Sequence, residues 1–129
     1  MNRHVEKAKE IRESGAVCNC AQTVLRCYAD EMGITDDMAM AIGSNFGGGM
    51  KCGGTCGAIT AGLMVLGALG VENPQKVGSF RHGIADNHEG YTDCRDLLRI
   101  NAEKGGEKKP HCDNMIYEAI EKIDETVCS

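Results

Sequence analysis

Apolar residues recur at helical spacing along nearly all of this chain, and no segment alternates with a convincing period of two, so helices are almost the only elements available to it. Residues 3–14 place Val5, Ala8 and Ile11 on one face, and Gly15 stops the run. Asn19 suits the N-cap of a helix to about Met32, with Ala21, Val24, Leu25, Tyr28 and Met32 on one side and Gly33 at its end. Asp36 or Asp37 caps a short helix through Ile42, and a glycine-rich loop follows over Phe46–Gly54. Thr55 reads as the cap of a helix to Leu69 whose apolar residues surround it on nearly all sides, so this helix should be the buried one. Its glycines at 57, 62 and 67 each cost about 1 kcal/mol of helix propensity, for which a closely packed neighbour is the usual compensation. Asn73-Pro74 opens a helix toward Asp86. Thr92 or Asp93 caps another over 94–100, and Glu103–Pro110 reads as a surface loop. A last helix, 111–127, sets Met115, Ile116, Ala119, Ile120 and Ile123 against a polar face.

The expected fold class is all-α: a compact bundle of about six or seven helices with a glycine-rich loop. A length of 129 residues suits one domain spanning 1–129. The absence of Trp, 4% aromatic content and only two prolines weigh against a β-sandwich or barrel. A net charge of -5 without a basic run argues against nucleic acid or an anionic membrane as partner. Cys52–Val71 carries no charge, but it is rich in glycine and lacks charged flanking clusters, so a buried helix is expected there and not a membrane span. Met1–Lys7 reads as a charged helix and not as a secretion leader, which places the chain in the cytoplasm.

Thiols in that compartment stay reduced, so eight cysteines there point to metal or redox chemistry before structural disulfides. On the helix map, Cys20 follows the cap Asn19, Cys56 follows Thr55, Cys94 follows Thr92/Asp93, and Cys112 falls in the first turn after Pro110. Four cysteines therefore open four helices. A helix start offers unpaired N–H groups and about half a positive charge, which favours the thiolate. Converging, these four would form a thiolate site suited to zinc or an iron–sulfur cluster; the plainer alternative is small buried apolar residues in a bundle. Cys18, Cys27, Cys52 and Cys128 are weaker candidates, although Cys52, near Cys56, could act as a resolving thiol. His111 and His82 could tune or replace a ligand, or simply be surface imidazoles.

Several motifs are missing. There is no Cys-x-x-Cys and hence no thioredoxin-type pair or zinc ribbon, and no Cys-x-x-Cys-His for haem attachment. Gly48–Thr55 looks superficially like a phosphate-binding loop, but Gly54 stands where the lysine is required. No Ser-His-Asp or paired-acid arrangement stands out, so hydrolase readings have no support.

Asn19-Cys20-Ala21-Gln22-Thr23-Val24-Leu25, Phe46-Gly47-Gly48-Gly49-Met50, Thr55-Cys56-Gly57-Ala58-Ile59-Thr60 and Cys94-Arg95-Asp96-Leu97-Leu98, with Cys112, together resemble the C_GCAxxG_C_C family of redox-active domains, over roughly residues 10 to 125. The family's four cysteines fall on Cys20, Cys56, Cys94 and Cys112. One departure is Ala61 where the motif has its last glycine, with Gly62 following. Similar domains in split-Soret-type cytochromes imply electron transfer and an iron–sulfur cluster, without the haem.

The leading expectation is thus a redox protein in which Cys20, Cys56, Cys94 and Cys112 ligate an iron–sulfur cluster, most simply [2Fe–2S], for one-electron transfer to a redox partner protein. Backbone N–H groups of the Gly47–Gly54 loop would tune it. A homodimer is kept as a candidate assembly, and whether the chain is an enzyme is left open. The alternatives are a metal-free thiol–disulfide oxidoreductase or sensor, with Cys56 attacking and Cys52 or Cys20 resolving, and a module with a structural zinc site.

Overall fold

The structure, a computed structural model, describes residues 2–129, and Met1 of the expected opening helix lies outside them. Helices account for every regular element among the described residues: α1 Arg3–Glu13, α2 Cys20–Cys27, α3 Ala29–Met32, α4 Asp36–Gly43, α5 Gly57–Ala68, α6 Pro74–Asp86, α7 Cys94–Glu103 and α8 Lys108–Cys128. The all-α expectation holds, with slightly more helices than anticipated. No helix among the described residues is long and apolar enough to cross a membrane.

The helix over 20–32 is broken in two at Tyr28, which leaves the helical region (φ -114°, ψ 8°). Its ring is buried, its hydroxyl donates to Asp124 at 2.7 Å, and the imidazole of His4 stacks on it at 4.0 Å. These contacts come from α8 and α1, beyond the reach of local periodicity. The expected 103–110 loop is also shorter, because α7 extends to Glu103 and α8 begins at Lys108. Pro110 thereby falls in the first turn, where a backbone N–H would have no intrahelical acceptor.

α2, α5 and α8 form the centre. α4 packs on α2, α1 lies across α2 and α8, and α6 and α7 lean on α8. The core draws Val24 and Leu25 from α2, Ile59, Val65 and Leu66 from α5, and Ile116, Ile120 and Ile123 from α8. The α8 face expected from spacing is buried at all five positions. In α5, Gly62 is the point of close approach, since a Cβ there would stand 2.5 Å from the Phe80 ring of α6. Removing the Cβ lets an aromatic ring lie against the helix backbone, which offsets the propensity lost to glycine.

The glycine-rich loop holds a left-handed turn. Gly48 and Gly49 (φ 63° each), Met50 (φ 58°) and Lys51 (φ 59°) occupy the left-handed region in succession, opening the turn Gly49–Gly53. Met50 and Lys51 are L-residues with a Cβ, for which this conformation costs roughly 1–2 kcal/mol each. Such strain persists only where the surroundings impose it, often beside functional sites.

Candidate functional site

Each helix start that carries a cysteine is fixed by its own neighbours. Ahead of Cys20, Asn19 and Gln22 form a reciprocal capping box: Asn19 Oδ1 accepts the Gln22 N–H at 2.8 Å, and Gln22 Oε1 accepts the Asn19 N–H at 2.8 Å. The same side chains donate to the carbonyls of Gly43 (3.1 Å) and Met40 (2.9 Å), tying the start of α2 to α4.

Cys56 and Cys94 are joined through backbone. Thr55 does not cap α5 as expected; Cys56 itself is the N-cap residue, and Thr55 pairs antiparallel with Asp93. Around that bridge the Cys94 N–H donates to Gly54 O at 2.6 Å and the Cys56 N–H to Thr92 O at 2.9 Å. The left-handed turn closes against this pairing, and a Cβ on Gly49 would lie 2.8 Å from that of Cys94. Gly57, next to Cys56, is held equally close, with the Phe46 carbonyl 2.7 Å from where its Cβ would be. Cys112 is the fifth residue of α8 and not in its first turn as expected, because the helix already begins at Lys108; it stands beside Asp113, which receives Arg12 at 2.6 Å and Lys109 at 2.9 Å.

These arrangements place all four expected cysteines on the wall of one cavity of about 270 Å³. Arg12, Lys108, His111, Gly48 and Gly49 also line it, and Leu97 and Met115 supply apolar wall. Cys20 and Cys112 stand near enough on that wall for a proton held by one to be shared with the other. Among the described residues, no three His, Cys, Asp or Glu side chains are grouped so as to hold a single metal ion. All eight cysteines are free.

Helix starts were expected to favour thiolates generally, and the structure corrects this. Burial pushes the Cys56 thiol up to about 11, although the N–H groups of Ala58 and Ile59 at its helix start pull the other way. Desolvation, followed by the charge of Cys112, also raises Cys94. The hydrogen bond from Cys20 brings Cys112 down to about 7, against burial and with help from Lys108 and Arg12. Cys20, holding the proton of that bond, is raised well above the usual thiol range, chiefly by its bond to Cys112 and then by desolvation. The sulfur most disposed to be a thiolate is therefore Cys112. Cys56, the expected attacking thiol, is held protonated because a buried charge loses more hydration than the helix start returns.

The remaining cysteines separate by position. Cys27 is core, its thiol pushed up to about 12 by burial. Cys52 and Cys128 are exposed and absent from the cavity lining. Cys18 does line the cavity, with its sulfur 3.3 Å from Thr23 Oγ1. Of the two histidines singled out, His111 lines the cavity and His82 is exposed. Sequence reasoning missed Arg12 and Lys108, which carry no local signal. The Arg12–Asp113 contact joins residues 101 positions apart.

A family model described as "Putative redox-active protein (C_GCAxxG_C_C)" matches residues 18–126, a stretch that contains all four cavity cysteines named above. No curated protein and no solved structure matches.

Proposed function

Since the chain belongs to the C_GCAxxG_C_C family of redox-active proteins, we propose that its cavity binds an iron–sulfur cluster, most simply [2Fe–2S], through Cys20, Cys56, Cys94 and Cys112. The observation that carries this reading is the meeting of four cysteines from four different helices on one partly apolar cavity. The donor set fits such a group. Burial raises the proton affinity of Cys56 and Cys94, and repulsion from neighbouring sulfurs adds to it, a cost that a cationic group bound between them removes.

The bound cluster would supply one-electron transfer. The chain's own residues do the rest. Buried Cys56 and the Leu97 and Met115 wall keep water from the sulfurs, and Arg12 and Lys108 offset the thiolate charge. The strained turn holds Gly48 and Gly49 against the opening, where backbone can approach sulfur without intervening side chains. The chain would act as one four-cysteine domain in the cytoplasm, passing electrons to a redox partner protein.

A second reading is favoured by the placing of Cys20 and Cys112 on one cavity wall, where each acts on the other's proton. Without metal, the Cys112 thiolate attacks a partner disulfide and displaces one partner thiolate. Cys20 then attacks the mixed disulfide, releasing the second partner thiol and leaving a Cys20–Cys112 disulfide.

The test is the absorption spectrum of anaerobically purified and reconstituted protein, with iron, zinc and acid-labile sulfide assayed on the same sample. Broad visible bands with stoichiometric iron and sulfide, lost in Cys56→Ser, are expected. Zinc in a colourless sample would make the site structural. Neither metal after reconstitution, with a specific Cys20–Cys112 disulfide after mild oxidation, would establish the second reading instead.

A further inference from the structure

Arg12 reaches the cavity from α1, outside the stretch that the family model matches. Its Nε donates to Asp113 at 2.6 Å and its Nη1 to the carbonyl of Cys18 at 2.8 Å. Asp113 follows Cys112, and Cys18 lies two residues before Cys20. One guanidinium thus spans the two segments that carry Cys20 and Cys112, both on the cavity wall. Its side chain is only 14% exposed, and its charge acts on both sulfurs. Lys109, the other cation on Asp113, is 62% exposed and left to solvent screening.

A shielded cation stabilises whichever state of its neighbours carries more negative charge. At a thiol site that state is the reduced one: free thiolate over neutral disulfide, or a cluster holding the additional electron. Asp113 works in the opposite sense, since its carboxylate offsets part of the arginine's charge at the cavity wall.

We infer that Arg12 is the positioning and counter-charge residue of the cysteine cavity, bracing Cys20 against Cys112 and biasing the site toward its reduced state. This role rests on reading the cavity as the redox site. It is common to both chemistries proposed for it, because the bias depends on charge and not on which group accepts the electron.

The experiment measures two couples in wild type, Arg12→Gln, Arg12→Lys and Asp113→Asn. The first is the midpoint potential of the reconstituted protein. The second, in metal-free protein, is the Cys20–Cys112 disulfide, which takes two electrons from two glutathione thiols and releases glutathione disulfide; of their two protons Cys20 keeps one and the other goes to solvent, which leaves Cys112 as the thiolate. Its position is read by mass spectrometry across glutathione buffers. Arg12→Gln is expected to shift the balance about tenfold toward the oxidised state, which is about 59 mV lower for the one-electron couple and about 30 mV lower for the two-electron couple. Arg12→Lys restores most of the shift, and Asp113→Asn moves the balance the other way. Opposite shifts are the signature of charge; a loosened structure would move both variants together, and that result, or no shift, overturns the inference. Far-UV circular dichroism checks folding, and if Arg12→Gln fails to fold, Arg12→Met, which also removes the charge, takes its place against Asp113→Asn. A shift in the glutathione couple without iron uptake leaves Arg12's role standing and removes the cluster. Cluster uptake with an unmoved potential does the reverse, and a wild type showing neither couple overturns both.

Discussion

Gly48 and Gly49 offer a matched pair for testing how the left-handed turn supports the site. Both have φ 63°, so alanine at either pays the same left-handed penalty, roughly 1–2 kcal/mol. They differ in surroundings. A Cβ on Gly48 meets nothing within 4 Å, whereas one on Gly49 lies 2.7 Å from the Gly54 nitrogen and 2.8 Å from the Cys94 Cβ. These are backbone and first side-chain atoms that cannot rotate aside, so overpacking adds roughly 1–3 kcal/mol at Gly49 alone. The entropy alanine removes from the unfolded chain is common to both and cancels in the comparison. Gly49→Ala should therefore be less stable than Gly48→Ala by roughly 1–3 kcal/mol, separating their urea midpoints by on the order of 1 M in metal-free protein. Because Gly54 also accepts the Cys94 N–H at 2.6 Å, Gly49→Ala should lose more iron on reconstitution than its neighbour. Coincident midpoints, or Gly48→Ala as the weaker protein, would refute the close approach and its link to Cys94.

Asn19→Ala should cost about 1–2 kcal/mol in urea unfolding, because it removes an N-cap and the tie from Asn19 to the Gly43 carbonyl, which keeps only the Phe46 N–H. In metal-free protein, iodoacetamide labelling of Cys112 should rise with pH through about 7 as its thiolate forms, while Cys56, pushed up to about 11, stays unlabelled at neutral pH. Peptide mass mapping reads both, and a Cys112 midpoint near 9 would remove the assigned effect of Cys20. Phe80→Ala should destabilise by about 3–5 kcal/mol, because the ring is fully packed against Gly62 and nothing else can fill its place. A thermal melt near that of wild type would contradict it.

The helix map and the helix starts at Cys20, Cys56 and Cys94 were legible in the sequence because both are local. Capping joins residues two or three apart, as in Asn19 and Gln22, and a buried face repeats within two turns, as in α8. The family resemblance selected the same three positions and Cys112. What local pattern could not supply is whatever depends on residues distant in sequence. The break at Tyr28 is imposed by Asp124 and His4, and the left-handed turn is wedged against Cys94. Arg12 joins the cavity through a residue 101 positions away. Thiol ionisation likewise belongs to the tertiary structure. A helix start lowers a thiol's proton affinity by a local field, but burial and neighbouring sulfurs raise it, and only packing fixes the balance. At Cys56 burial prevails; at Cys112 the hydrogen bond from Cys20 does.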